Sequence, residues 1–206
     1  MKARAARLLA AVAGALLLVC ALYGCVTAVA LDEDRYPRDG ALGEAAQEVL
    51  DYLRGRLDAM DAARFTQRER LHMEDVRALF DGARRLALGC LAAAAALGTA
   101  GALLGGRRTF GRGLLYGVAA FAGCFALLGL WALADFDGWF TAMHRLAFSN
   151  DLWLLPADST LITLMPLSFF MQAVAAVAAR FLSCMAAVVA LGGWGLSRAR
   201  RRERET

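Results

Sequence analysis

The chain has only two histidines, and each sits among polar residues that are scarce elsewhere in it. His72 lies in FTQRERLHMEDVRALF, residues 65–80, with Asp75 three positions on. On a helix that spacing is a contact distance. A carboxylate there can fix an imidazole tautomer or stabilise the imidazolium. His144 lies in FTAMHRLAFSNDLWLLPADSTLITLMP, residues 140–166, beside Arg145 and upstream of Ser149, Asn150, Asp151 and Asp158. Two imidazoles facing one site can divide the proton work: one takes a proton from a nucleophile and the other gives one to a leaving group. Taken singly, each also has a plain reading, His72 as part of a salt-bridged surface helix and His144 as an interfacial residue.

Other chemistries find less support. His72, Asp75, His144 and Asp158 would offer a metal two nitrogens and two carboxylates. No HExxH is present, however, and those ligands come from two dispersed segments, so no metal or other cofactor is expected. There is no GxSxG. The five cysteines, at 20, 25, 90, 124 and 184, fall in apolar stretches without CxxC or CxxH spacing, where they act as small apolar residues. DGARR resembles the start of a phospholipid-synthase motif, but the spacing fails and the downstream aspartates are missing. Arg180 interrupts an otherwise apolar stretch. A charge there is a functional hypothesis by default, with snorkelling, or pairing with an acid such as Asp158, as the simpler account.

The elements that must position these residues follow from hydropathy. The chain is 59% hydrophobic, above the roughly 45–50% usual for soluble domains. Four apolar stretches, at about 8–31, 86–106, 113–134 and 173–196, match the roughly 20 residues that cross a bilayer. Continuous runs of that kind are helices, since lipid leaves no other partner for the backbone. The expected fold is therefore an all-α membrane protein of four transmembrane helices, forming one domain over residues 1–206. LLLVCALYGC, ending at Cys25, is similar to a lipoprotein signal, but its tyrosine is a poor cleavage-site residue and the stretch reads as an uncleaved anchor.

Charge sets the orientation. Lys2, Arg4 and Arg7, then Arg107, Arg108 and Arg112, then five arginines after the fourth stretch all fall on one side if the helices alternate. The other side receives residues 32–85, with thirteen acidic and ten basic residues, and 135–172, with four acidic and one basic. The positive-inside rule then gives both termini inside and both long segments outside. The net charge of +4 belongs to these anchors, and nucleic acid is not an expected partner.

In the first outer segment, Leu42, Ala46, Val49, Leu50, Leu53, Leu57 and Met60 have helical spacing, which predicts an amphipathic helix on the membrane or on the other helices. TQRE is a capping box, with Thr66 as N-cap and Glu69 three residues later. It predicts a second helix with His72, Asp75, Val76, Leu79 and Phe80 on one face. Gly82 predicts a bend that lays this helix along the bilayer surface. The second outer segment, with Pro156, Pro166 and flanking tryptophans, reads as interfacial short helices or a re-entrant piece.

Two blocks of this sequence carry a family resemblance. The first is ERLHMEDV, giving Glu69, His72, Met73, Asp75 and Val76. The second, after the third stretch, gives His144, Phe148, Asn150, Trp153, Pro156, Asp158, Leu161, Ile162, Pro166, Phe169 and Phe170. Together with four spans they resemble the lipoprotein intramolecular transacylase (Lit) family, integral membrane enzymes. The resemblance implies a bacterial cytoplasmic-membrane enzyme with its site outside. It would move the sn-2 acyl chain of a lipoprotein's diacylglyceryl-cysteine onto the cysteine α-amino group, giving the lyso form, with membrane lipids around it and as a monomer. Under that reading His72 and His144 are catalytic, and which one is the base stays open, with the Asp75 spacing favouring His72. Asp75, Glu69 and Asp158 would orient them. Asn150 and Arg70 would be oxyanion donors, Trp153 a wall of the acyl pocket, and Met73 and Arg180 further substrate contacts. The same cluster could instead serve a metal-dependent lipid hydrolase, or its segments could bind a partner in a non-enzymatic accessory protein.

Overall fold

The computed structural model of the chain describes residues 1–205, with side chains described everywhere except at 107 and 191–205. Arg107, the arginines at 198–204 and the end of the fourth expected span thus lie outside the described side chains. The described chain is helical: α1 (Lys2–Ala30), α2 (Gly40–Leu53), α3 (Gln67–Ala134), α4 (Phe136–Ala147), α5 (Thr160–Leu164) and α6 (Leu167–Glu205), with a 3-10 turn at Glu33–Arg35. Four helical pieces are long and apolar enough to cross a membrane: Lys2–Ala30, Gln67–Gly106, Arg108–Ala134 and Leu167–Ala190. The chain is a multi-pass membrane protein. α3 holds two of these pieces, divided at Gly106, whose φ of 67° leaves the helical region and suits a residue without a Cβ.

The chain folds as two compact units. The first comprises Met1–Cys25, Arg85–Leu130 and Ala178–Thr206. There, small residues let backbones approach as they do in membrane bundles. A Cβ on Gly113 would strike the carbonyl of Arg7, and one on Gly117 that of Ala11, so the part of α3 after Gly106 lies directly on α1. Phe181 of α6 is fully buried between Phe121 and Phe125. Leu103, Leu127 and Leu130 stay largely exposed, as residues facing lipid would be.

The second unit comprises Val26–Arg84 and Trp131–Val177. Its core joins Ala45, Ala46, Val49, Leu50 and Tyr52 of α2 to Phe65, Met73 of α3, and Leu161 and Leu164 of α5. The apolar face of α2 is thus spent on a protein core. Leu42 and Leu57 are the exceptions, each 37% exposed. Leu57 lies beyond the end of α2, where Gly55 at φ 74° turns the chain.

The capping box at the start of α3 forms as expected: Thr66 accepts from the Glu69 N–H, and Glu69 accepts from the Thr66 N–H. The bend expected at Gly82 does not form. α3 is helical through that position, and its single non-helical residue is Gly106. A lone glycine weakens a helix by only about 1 kcal/mol relative to alanine, too little to break one bounded by a good cap and a long apolar run.

Candidate active site

The second unit brings the two histidines together. Their ring centres lie 6.4 Å apart, one carried by the second turn of α3 and the other by the last turn of α4. Seventy-two positions in sequence are bridged because α4 has its own start signal. The Asp135 side chain accepts from the Gly138 N–H at 2.9 Å and opens the helix. Its end is set by the Phe148 N–H, which donates to the His144 carbonyl at 2.8 Å.

Aromatic side chains wall the pair. Phe148 meets His72 edge-on at 5.3 Å and lies 5.7 Å from His144. Trp153 lies 5.1 Å from His144, and Phe140 lies 4.1 Å from it. Phe170, at the start of α6, packs on Phe140 at 5.0 Å. Such rings lower the local dielectric around the imidazoles.

The two imidazoles are held differently. His144 Nδ1 lies 2.9 Å from the Phe140 carbonyl. A carbonyl only accepts, so Nδ1 carries the proton and Nε2 presents a lone pair in the neutral ring. His72 Nδ1 is buried and has no hydrogen-bond partner. Burial foremost, helped by the neighbouring His144 and opposed by Asp75, pushes the His72 pKa down to about 4. Burial also lowers His144, against the pull of its bond to Phe140. Both rings are therefore neutral near pH 7.

The residues around the pair have distinct places. Asp75 is near enough to act on His72 through its charge, but its Oδ2 accepts a hydrogen bond from the Asn150 amide at 2.9 Å. Asn150 Oδ1 in turn accepts from the Leu152 N–H at 3.0 Å. Arg68, one turn before His72, donates to the Asp151 carbonyl. Glu69 is almost wholly buried, at 1% exposure. Its Oε2 accepts from the Thr66 N–H and hydroxyl, each at 2.8 Å, and its Oε1 from the Leu161 N–H at 2.9 Å. It fastens α5 to the first turn of α3. Met73 is buried in the same core. Arg70 is half-buried, with its Nε lacking a hydrogen-bond partner. Asp158 is exposed in the turn before α5. Arg180 belongs to the first unit, whereas the histidine cluster lies in the second. Among the described residues, no three His, Cys, Asp or Glu side chains are grouped to hold a metal ion.

Sequence reasoning did not single out Phe140 or Arg68. The signal for Phe140 was its position four residues before His144, one helical turn away on the same face. Arg68 sits likewise one turn before His72. Neither stands out until α4 and the 148–155 segment are known to lie beside α3.

The chain matches the family model for lipoprotein intramolecular transacylase Lit over residues 6–170. Among solved structures it is similar to the membrane integral lipoprotein intramolecular transacylase Lit from Bacillus cereus, determined in meso. The two are 20% identical, with 95% of this chain and 98% of that one covered, at a TM-score of 0.81. Histidine-to-arginine and histidine-to-alanine variants of the same Bacillus cereus protein match at 19% identity and a TM-score of 0.75 each. The first covers 96% of this chain and 94% of its own, the second 95% and 96%. No curated protein sequence matches.

Proposed function

The chain belongs to the lipoprotein intramolecular transacylase (Lit) family, and on that premise we propose that it moves the sn-2 acyl chain of a lipoprotein's diacylglyceryl-cysteine onto the cysteine α-amino group. The observation that carries this reading is the pair of imidazoles whose ring centres lie 6.4 Å apart, one of them with its tautomer fixed by a backbone carbonyl. Hydrogen-bond reach from a ring nitrogen is about 2.6–3.2 Å. Two rings at this separation can therefore serve neighbouring atoms of a single ester.

The roles follow from how each ring is held. His144 is the base, because its Nε2 offers the lone pair. His72 is the electrophile. Buried unpaired N–H groups are rarer than buried unpaired acceptors, so the proton of His72 belongs on Nε2, where it can donate to a developing oxyanion. The amine nitrogen attacks the sn-2 carbonyl carbon, and its proton passes to His144 Nε2. The carbonyl oxygen becomes negative and takes the hydrogen bond from His72. The bond from the acyl carbon to the glyceryl oxygen breaks, and that oxygen takes the proton from His144. The product is an isomer of the substrate, so no external acyl donor is consumed.

Nucleophile and ester belong to one molecule, an arrangement that can lower a barrier by about 7–11 kcal/mol when well oriented. The protein must then supply proton transfer, oxyanion stabilisation and a dry, aromatic-walled site. Asp75, Glu69 and Asn150 orient parts of the cluster, and Trp153 lines the acyl side. The site faces outward from the cytoplasmic membrane, as the charge asymmetry favours, where membrane-anchored lipoproteins are within reach.

The test uses purified protein in nanodiscs and a diacylglyceryl lipopeptide with different chains at sn-1 and sn-2. Fragmentation mass spectrometry should find the sn-2 chain amide-linked to cysteine, with the total mass unchanged. Unaltered substrate, or an amide chain drawn from the nanodisc lipid, would overturn the reading.

A further inference from the structure

We infer that Asp75 and Asn150 form a clasp that sets the geometry of the two histidines, with Asp75 acting through Asn150 and the segment it anchors. This inference rests on the acyl-transfer reading above. The spacing of Asp75 from His72 invites a direct carboxylate–imidazole pair, yet its Oδ2 is committed to Asn150 Nδ2 at 2.9 Å. The His72 ring nitrogen Nδ1 has no partner. Asn150 is not free to turn toward an oxyanion either. Its Oδ1 caps the Leu152 N–H, which aims the amide nitrogen at Asp75.

The clasp has a second point of grip. Arg68 lies seven residues before Asp75, two helical turns along the same face, and donates to the carbonyl of Asp151. At 1.5 Å per residue the two grips stand about 10 Å apart along α3. His72 lies between them, four residues after Arg68 and three before Asp75. The gripped segment holds Phe148 on one side and Trp153 on the other. These rings contact the imidazoles: Phe148 touches both, and Trp153 touches His144. Holding residues 150 and 151 against α3 therefore seats the aromatic walls that fix the spacing of the pair. Asp75 and Asn150 are positioning residues, and their chemistry is that of one amide donating to one carboxylate.

That chemistry can be reversed without changing its shape. Asn150→Asp sets two carboxylates against each other, and Asp75→Asn replaces a charge-assisted bond with a neutral one. The double variant Asp75→Asn with Asn150→Asp restores one amide and one carboxylate with the donor on the other side. An aspartate at 150 still accepts from the Leu152 N–H. Contacting pairs show coupling of the size that corresponds to roughly 2- to 150-fold in rate. We expect Asn150→Asp to lower turnover by about 30-fold, Asp75→Asn by about 5-fold, and the double variant to return within about 3-fold of the parent. Turnover is the lyso-lipopeptide formed by purified protein in nanodiscs, with the thermal midpoint of each variant recorded beside it.

Recovery in the double variant supports the clasp, because neither a direct Asp75–His72 pair nor an oxyanion-donating Asn150 would survive the exchange. A double variant as impaired as Asn150→Asp overturns the clasp, as does full activity in both single variants. If the parent protein itself forms no lyso product, the acyl-transfer reading fails instead, and the two failures are told apart by that one control.

Discussion

At the scale of single residues, the two imidazoles are not equivalent, and substitution can tell their roles apart. A glutamine at 72 or 144 keeps an N–H donor but cannot take up a proton near neutral pH. His72, as an oxyanion donor, should tolerate this better than His144, as a base. His72→Gln is expected to keep about a tenth of the parent rate or more, whereas His144→Gln should lose about 10²–10⁴-fold, the usual value of a general base. Single-turnover kinetics on the lipopeptide would measure both, and equal losses would return the base role to either ring. The depressed pKa values make a second prediction. Folded His72 binds its proton only near pH 4, against an ordinary value of 6.5. Between those values the unfolded chain holds more protons, so stability falls as pH falls through that window and is fully present above it. The thermal midpoint of the parent should therefore drop relative to that of His72→Gln between pH 6.5 and 4.5. A constant difference across that range would show that burial of His72 is not what stores this energy. Sequence made the pair visible, because two histidines in an apolar chain stand out. It left the support incomplete: an i+3 spacing reports nearness, but not that the carboxylate also accepts from a residue seventy-five positions away.

At the scale of elements, α3 organises the site, joining a local cap at its start to a long-range bond with α5. Its start was legible because a capping box is local: Thr66 and Glu69 are three residues apart. What the box could not reveal is that the same Glu69 carboxylate also accepts from Leu161, ninety-two positions on. That bond ties α5 to α3. Glu69→Gln keeps the shape but offers only one acceptor oxygen. It must turn its NH₂ toward either Thr66 or the Leu161 N–H, leaving a donor facing a donor. A buried polar group left unsatisfied costs about 1–3 kcal/mol, so the variant should melt several degrees lower, read by thermal unfolding in detergent. An unchanged midpoint would mean α5 is held by packing of Leu161 and Leu164 alone. Gly82 gives the opposite lesson. Its composition suggested a bend, but a Cβ there meets nothing within 4 Å and the helix runs on. Gly82→Ala should therefore leave turnover intact and add about 0.5–1 kcal/mol of stability. A marked loss of activity would make Gly82 a hinge after all.

At the scale of the whole molecule, the membrane imposes the plainest constraint, which is why the four spans were legible from composition while the packing within the second unit was not. Hydrocarbon requires long uninterrupted helices, and their apolar runs can be read residue by residue. The core around Phe65, Met73 and Leu161 depends on which distant segments meet. Orientation is a sequence-level argument with a direct test. Basic residues crowd the N-terminus and the 106–112 stretch, while residues 32–85 and 135–172 carry an acidic excess, so the latter should be translocated. The native cysteines all lie in apolar stretches, out of reach of a membrane-impermeant maleimide. Single cysteines placed at exposed polar-segment positions can then report sidedness. Asp58→Cys and Ala157→Cys, one in each acidic segment, should label in intact cells. Ala3→Cys should label only after the membrane is permeabilised. Labelling of Ala3→Cys in intact cells with protection of the other two would invert the molecule. The histidine pair, one member in each acidic segment, would then face the cytoplasm and lose access to translocated lipoproteins.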